Sequence, residues 1–511
     1  MNSIRRIDSR IDREPLFDVA GTRRLEAAAT NETGPFALMA RAGSAVARLA
    51  LALAPHARRI LVLAGPGNNG GDGLEAATQL CAMGKPTAVL LHGDAARLPA
   101  DAAQAFARAR QAGVRIDSSG AAKLDEGDIP ELVVDALLGV GASRPPEGAI
   151  AAAIERIAIL AARGARVLAV DMPSGLDVDR GRPFGDACVV AGDTLSLLTL
   201  KPGLFTAEGR DHAGQVWLDT LGADLDAASA AAWLVGSGHP SRRSDLRRQA
   251  QHKGSFGDVA VVGGAPGMTG AAILAASAAH AAGAGRVFVD LLGGGAAPPG
   301  LDPLRPELMF RIAWWQGPAE ALRAGTVVCG CGGGEAVREA LPRLLSIAAR
   351  LVLDADALNA IAADPALQAM TSARAARSLQ TILTPHPLEA ARLLGCSAGE
   401  VQGDRLAAAA ELARRYAAVV VLKGSGSIIA APRERPRLNA TGNASLATAG
   451  TGDVLAGWIG GRWLADAQAF EVATRGVIEH GNAAEPERTG ALRAGDLVET
   501  LYRRSRRIVG A

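Results

Sequence analysis

Residues 59–73, RILVLAGPGNNGGDG, join an apolar run to a glycine-rich turn that carries two Asn and one Asp. The run has the length of a buried strand, and the turn opens the Ala-rich stretch GLEAATQLCAMG, so the local reading is strand, tight turn, helix. The same order repeats outward through KPTAVLLHG, DAAQAFARARQAG and LVVDALLG, then ARVLAVDMPSG and GDTLSLLTL, to about Asp226. A β-α-β cadence of this kind predicts a parallel sheet with helices on both faces. A second cadence starts at GDVAVVGGAPGMTGAAILAASAAHAAGAGRVFVDLL. It runs through GTVVCGCG, ARLVLDADALN, TILTPHP and AVVVLKGSGSIIAA to a closing helix at GTGDVLAGWIGG. No period relates the two halves, so two different domains are expected rather than a duplication. The fold class expected is α/β: two three-layer αβα domains, 1–225 and 240–511, joined by a linker at 226–239 where the cadence lapses.

Composition narrows the function. A chain of 511 residues is too long for one core. A formal charge of +2 gives no broad basic field, so nucleic acid is not an expected partner. The five cysteines (Cys81, Cys188, Cys329, Cys331, Cys396) are scattered and lack C-x-x-C spacing, which suggests neither a disulfide framework nor a zinc site. The N-terminus has no apolar h-region, and no run of 18 or more apolar residues lacks Gly, Pro or charge. The expectation is a cytoplasmic protein with no membrane association, and a homo-oligomer.

Gly65, Gly67 and Gly70 satisfy G-x-G-x-x-G, but a dinucleotide fingerprint also needs an acidic residue about 20 positions on, where the next strand ends. Here that strand ends at His92, with Asp94 displaced beyond it. The dehydrogenase pattern also leaves Asn68, Asn69, Gly70, Gly71 and Asp72 unexplained. They put amide carbonyls and a carboxylate beside backbone N–H groups at a helix start, which can hold phosphate through N–H or a cation through oxygen. Two more strand ends supply oxygens, Asp135 after LVV and Asp171 with Ser174 in VDMPSGLD. In a parallel sheet such ends converge on one crevice. They form either one site or a set of caps and turns.

The strings GPGNNGGDG, VDALLGVGASRPPEG and VDMPSGLDVDRG, in this order, resemble the YjeF N-terminal family, the NAD(P)H-hydrate epimerases, over residues 15 to 225. The resemblance implies a Rossmann-like domain. In it Asn68 to Asp72, the loop Gly139, Val140, Gly141, Ala142, Ser143, Arg144 and Pro145, and Asp171 contact the hydrated nicotinamide nucleotide. It also implies a potassium ion held by Asn69, Asp135 and Ser174, with Asp171 as the catalytic residue. Epimerising the C6 carbinolamine of a hydrated nicotinamide needs proton transfer, which a carboxylate at hydrogen-bond distance can perform.

In the second half, GNASLATAGTGDVLAGWIGG (442–461) leads through Gly450, Thr451 and Gly452 into an apolar helical pattern. Backbone N–H groups and the helix dipole there form an anion hole, and Asp453 in the first turn can take a proton from a hydroxyl attacking phosphate. The alternative is a capped helix with a glycine-rich entry. Lys423, in VVVLKGSGSII, is one of only five lysines among 54 basic residues, which points to phosphate contact over a surface lysine. His386, between two prolines in LTPHPLEAARLL, is either structural or a ligand contact at the same sheet edge.

KGSGS, the turn from Asn439 to Asn443 and AGTGD resemble the ribokinase-like fold, and within it the ADP-dependent NAD(P)H-hydrate dehydratases. KGSFGDVAVVGGAPGMTGAAILAASAAHAAGAGRV, LDADALN and TPHP extend the likeness over residues 240 to 508. The resemblance implies that Lys423, Gly424, Ser425, Gly426, Ser427 and Gly452 bind the ADP that ends as AMP. It places Ala272, Gly332, His386 and Asp453 on the hydrated dinucleotide, with Asp453 catalytic and Mg2+ as charge neutraliser. The chain departs from the family pattern at GCGGG (330–334, for G-P-G-L-G), TPHPLE (for T-P-H-P-G-E) and GNAS (for G-N-P-G). The two halves then fit together: an epimerase interconverting the R and S hydrates of NADH and NADPH feeds a dehydratase that accepts S. A vitamin kinase fused to a nucleotide-binding domain, or a catalytically silent first half, are the competing readings.

Overall fold

The structure is a computed structural model that describes residues 4–118, 129–239, 249–293, 302–464, 466–485, 490 and 492–507. The chain packs as two units. One takes the N-terminus as far as Asp8 together with Glu14–Trp233; the other takes Ser9–Arg13 and the chain from Leu234 onward.

The first unit is built on an eight-stranded sheet. Its order is Arg5–Ile7, Gln215–Asp219, Asp193–Leu197, Arg166–Val170, Leu132–Ala136, Ile60–Ala64, Thr87–Leu91, Arg115–Asp117. Only the edge strand Arg5–Ile7 is antiparallel to its neighbour. Ile60–Ala64 and Leu132–Ala136 are buried at every position; the first reads as an unbroken apolar run, and the second is interrupted only by Asp135. Chain order reverses between these two strands, so the sheet has its topological switch point at their C-terminal ends. The opening string divides there. Gly65 to Gly67 make the turn, and Asn68 starts the helix Asn68–Ala82. That helix begins almost on the strand, since a Cβ on Gly70 would lie 2.0 Å from the Gly65 carbonyl oxygen.

The second unit's sheet runs Met309–Phe310, Arg286–Leu291, Asp258–Gly263, Thr326–Cys329, Arg350–Leu353, Gln380–Leu383, Val419–Leu422, Ile428–Ala431, Glu434–Asn439. It is parallel as far as Val419–Leu422 and then turns antiparallel through two hairpins. The stretch 226–239 carries a strand of its own, Ala232–Val235, and the Ala440 N–H donates to the Val235 carbonyl at 2.8 Å. Four residues, AWLV, are too few to establish a period against their Ser- and Arg-rich surroundings.

Candidate functional sites

In the first unit a cavity of about 670 Å³ lies over the switch point. Asn68, Asn69, Asp72, the loop 139–145 and Asp171 all line it. Gly70 and Gly71 sit behind this wall as buried backbone. Asp171 follows the strand Arg166–Val170 with φ +68°, the left-handed region that non-glycine residues rarely occupy. Its carboxylate accepts the Leu197 N–H at 3.1 Å and is ion-paired with Lys201. The Lys201 side chain is wholly buried, and its ammonium also donates to the Leu197 carbonyl at 2.7 Å and to the Ser196 hydroxyl at 3.3 Å. Sequence reasoning missed Lys201. The signal that could have found it is the one used for Lys423: it is one of five lysines, placed after an apolar strand in TLKPG.

Asp135 and Ser174 are not among the residues lining the cavity, but they meet each other directly, and the Ser174 hydroxyl accepts the N–H of the lining residue Leu138 at 2.9 Å. The Asp135 carboxylate accepts the Ser174 N–H at 2.8 Å, the Ser174 hydroxyl at 2.6 Å and the Leu137 N–H at 3.2 Å. Burial pushes its carboxyl up to about 6, against those three neutral donors. Asn69 lies against Gly139, where a Cβ would be 3.2 Å from Asn69 Oδ1, and its buried amide nitrogen has no hydrogen-bond partner. Asp72 is held well above the ordinary aspartate value by burial and then by the Asp171 and Glu26 charges.

In the second unit the site groups again stand where strands end. Thr326–Cys329 leads into the GCGGG turn, Arg350–Leu353 into Asp354, Gln380–Leu383 into His386 and Val419–Leu422 into Lys423. The helix Thr451–Arg462 brings Gly452 and Asp453 in its first turn, behind Gly450 at φ +90°. The Lys423 ammonium donates to Asp354 at 2.6 Å, lies 3.9 Å from Glu389, and would be 3.4 Å from a Cβ on Gly452. The Cys331 thiol and the Asp354 and Asp453 carboxylates have ligand atoms within 4.8 Å of one another. Burial, and then the Asp354 charge, push Asp453 up to about 6; burial pushes Glu389 up to about 7.

His386 caps the helix Pro387–Leu394. Its Nδ1 accepts the Leu388 and Glu389 N–H groups, and Glu389 accepts the His386 N–H at 2.8 Å. The imidazole is therefore structural as well as close to the Lys423 cluster. Ala272 is buried on the helix Thr269–Ala281, and Gly332 takes φ +60° with its carbonyl accepting from Ala265 at 2.6 Å. Asp354 and Arg405 are further groups the sequence did not single out. Arg405, fully buried, reaches under the KGSGS loop to the carbonyls of Leu422, Lys423 and Gly426 at 3.3–3.5 Å. Gly424 at φ +135° lets the loop pass so closely that a Cβ there would come 2.8 Å from the guanidinium.

Two family models match the chain in this order: YjeF-related protein N-terminus over residues 35–203 and NAD(P)H-hydrate dehydratase over residues 259–503. Across 92% of its length the chain is 36% identical to the bifunctional NAD(P)H-hydrate repair enzyme Nnr of Escherichia coli (strain K12), covering 89% of that protein. The chain belongs to the bifunctional NAD(P)H-hydrate repair enzyme family. Other members of the repair family align as fully. The Coxiella burnetii enzyme is 37% identical over 88% of this chain and 90% of its own, and that of Leishmania braziliensis 35% over 90% and 86%. A solved ADP/ATP-dependent NAD(P)H-hydrate dehydratase from Bacillus subtilis matches 51% of this chain and 93% of its own at 30% identity, with a TM-score of 0.42. The repair-family match on the N-terminal side takes in Asn69, Asp135, Asp171, Ser174 and Lys201. It begins after the helix Val19–Thr33, which also lines the cavity.

Proposed function

We infer that this protein restores hydrated NADH and NADPH in two steps, epimerising the R and S hydrates and dehydrating S at the expense of ADP. The observation that carries this reading is the presence, in each of two α/β units, of a carboxylate-centred site at the C-terminal ends of the strands. In the first unit Asp171, fixed by Lys201 and the Leu197 N–H, exchanges protons at the C6 hydroxyl. The N–H groups at the start of the helix Asn68–Ala82 and the loop 139–145 grip the nucleotide.

Asn69, Asp135 and Ser174 suit a potassium ion: all offer hard oxygens, and Asp135 is buried with neutral donors alone among its hydrogen-bond partners. Such an ion would supply the missing counter-charge and lock the Asn69 turn against the Asp135 strand.

In the second unit Asp453 is the base. A carboxyl at about 6 is ionised at neutral pH yet basic enough to take a proton from the C6 hydroxyl as that oxygen attacks the terminal phosphoryl group of ADP. The backbone N–H groups around Gly450 to Gly452 stabilise the transferring charge. The ring nitrogen then expels phosphate, a far better leaving group than hydroxide, and the dihydropyridine is restored. Lys423, beside Gly452, would meet the nucleotide phosphates, with Gly424 to Ser427 closing over them. Ala272, Gly332 and His386 would face the dinucleotide. Mg2+ accompanying ADP would neutralise phosphate charge alongside Lys423.

Five unpaired cysteines support a reducing, cytoplasmic setting, and no single described helix is long and apolar enough to cross a membrane. The test is to incubate the protein with mixed R and S hydrates and ADP and follow the absorbance of the reduced nicotinamide. Consumption of both epimers is expected. Consumption of neither overturns the reading, and consumption of S alone at the spontaneous epimerisation rate overturns its first half.

A further inference from the structure

The helix Val19–Thr33 presents Thr22, Arg23, Glu26 and Thr30 to the cavity above the switch point. Thr22, Glu26 and Thr30 fall four residues apart, so one stripe of the helix lines the cavity, with Thr22 buried, Thr30 half-buried and Glu26 exposed to its opening. The same cavity is lined by Asp171, which follows the strand Arg166–Val170, and by Lys201, beyond the strand Asp193–Leu197. Among the described residues the Glu26 carboxyl has no hydrogen bond and no ion pair, unlike Asp171, which is held at two points. The charged groups that face it are Asp171 and Lys201 from the sheet side, Asp72 from the helix Asn68–Ala82, and Arg23 from its own helix. Partial burial and then the Asp171 charge hold Glu26 above the ordinary glutamate value, against the pull of Lys201 and Arg23.

Inversion at C6 has a stereochemical demand that one pinned carboxylate does not meet. The hydroxyl must leave from one face of the ring, and water must arrive at the other. Asp171 cannot serve both faces, because a wholly buried ammonium and the Leu197 N–H fix its position. A second group is needed, free of partners, on a different element, and able to hold a proton.

We propose that Glu26 is a second catalytic residue of epimerisation, the acid that acts on the ring face opposite Asp171. This rests on reading the cavity as the epimerase site. In one direction the Glu26 O–H gives its proton to the C6 hydroxyl. The C6–O bond breaks, its electron pair leaves with the departing water, and the N1 lone pair forms the C6=N1 iminium. A water on the other face then adds to C6 through oxygen, the π pair returns to N1, and the surplus proton passes to Asp171. One proton has moved from Glu26 to Asp171, and solvent in the cavity resets both groups. The reverse direction uses the same two groups with their roles exchanged, as an equilibrating enzyme requires. Two carboxyls in unlike settings, one paired with an ammonium and one unpaired, match the general arrangement by which acid and base roles are separated. Asp72 is the other raised carboxyl on this cavity, but it lies in the helix start assigned to gripping the nucleotide.

The experiment uses the full-length enzyme and the purified R hydrate of NADH, with R-to-S conversion read by chromatography in the absence of ADP. Glu26→Gln is expected to lower epimerase kcat by about 100-fold or more, the usual worth of a general acid, with KM for the hydrate unchanged. Dehydration of S with ADP stays at the wild-type rate, which also reports that the variant is folded. Glu26→Asp should recover part of the loss. In the wild type the epimerase rate falls on the alkaline side as Glu26 loses its proton, and that limb disappears in Glu26→Gln. An undiminished kcat in Glu26→Gln overturns the proposal, as does a change confined to KM, which would make Glu26 a binding residue. If instead Asp72→Asn lowers kcat without raising KM while Glu26→Gln does not, the acid is Asp72. A wild-type protein that does not accelerate R-to-S conversion overturns the reading of the cavity itself.

Discussion

Replacing Lys201 by Met removes an ammonium and leaves a side chain of similar length in the same buried slot, so the perturbation is electrostatic more than steric. The Lys201 side chain is 0% exposed and that of Asp171 is 11% exposed. Removing one partner of a buried pair typically costs about 3–5 kcal/mol, because the other charge stays behind uncompensated. Asp171 keeps the Leu197 N–H at 3.1 Å and opens onto the cavity, so water restores part of the loss. The Leu197 carbonyl and Ser196 hydroxyl each lose a donor as well. We expect a net destabilisation of the first unit of about 2–4 kcal/mol, within the 5–15 kcal/mol that a domain usually has in hand. Lys201→Met with Asp171→Asn leaves a neutral amide instead of a stranded carboxylate and should recover about 2 kcal/mol of this, a coupling that a double-mutant cycle reads directly. Hydrogen exchange of peptides spanning Ile60–Ala64, Leu132–Ala136 and Arg166–Val170 measures the opening free energy of the first sheet, with the strands of the second unit as internal reference. Both variants should lose epimerisation and keep dehydration. A loss below about 1 kcal/mol, the range of an exposed pair, with the double variant no more stable than the single, would refute the account of how Asp171 is held.

The two sites should also separate by function. Asp171→Asn abolishes epimerisation while S hydrate is still dehydrated, and Asp453→Asn does the reverse; loss of both activities from either folded variant sinks the two-site assignment. Dehydration should fall as pH drops below about 6, where Asp453 takes up its proton, and a rate that stays flat to pH 5 would exclude Asp453 as the base. The linked effect on stability has the opposite direction: because the folded value lies above the ordinary 3.8, Asp453 favours the fold most below about 3.8 and that contribution is lost as pH rises through about 6. After allowance for solvent screening, Asp453→Asn should therefore stabilise the second unit at neutral pH by about 1–2 kcal/mol in thermal or denaturant unfolding. Arg405→Met frees the carbonyls under the KGSGS loop and should raise KM for ADP by about tenfold, the equivalent of one lost charged hydrogen bond, without touching epimerisation; an unchanged KM would mean the loop holds its shape without the guanidinium.

The strands that the sequence announces are those whose apolar runs alternate with helical stretches; RRI is charged and at the edge, and AWLV, though largely buried, is too short and stands outside the alternation. The catalytic carboxylates were legible for a related reason. A charge directly after such a run, as at Asp135 and Asp171, or in the first turn of an apolar helix, as at Asp453, is out of place unless it works; Asp354 follows ARLVL in the same way and was passed over. Which groups pair was not legible, since the pairs are distant in the chain: 30 residues separate Asp171 from Lys201, and 69 separate Asp354 from Lys423. The fold removes that distance. A parallel sheet brings all C-terminal strand ends to one edge, so a cation at the end of one strand and an acid at the end of a nearby one are delivered to the same place. Arg166–Val170 and Asp193–Leu197 are adjacent, and Asp171 meets Lys201 just beyond them. Arg350–Leu353 and Val419–Leu422 have one strand between them, and the longer reach is spanned by the lysine itself. Once the strand order is known, a lysine following a buried strand in a chain that otherwise uses arginine therefore names its acid: the carboxylate that follows the neighbouring strand, or the one after it.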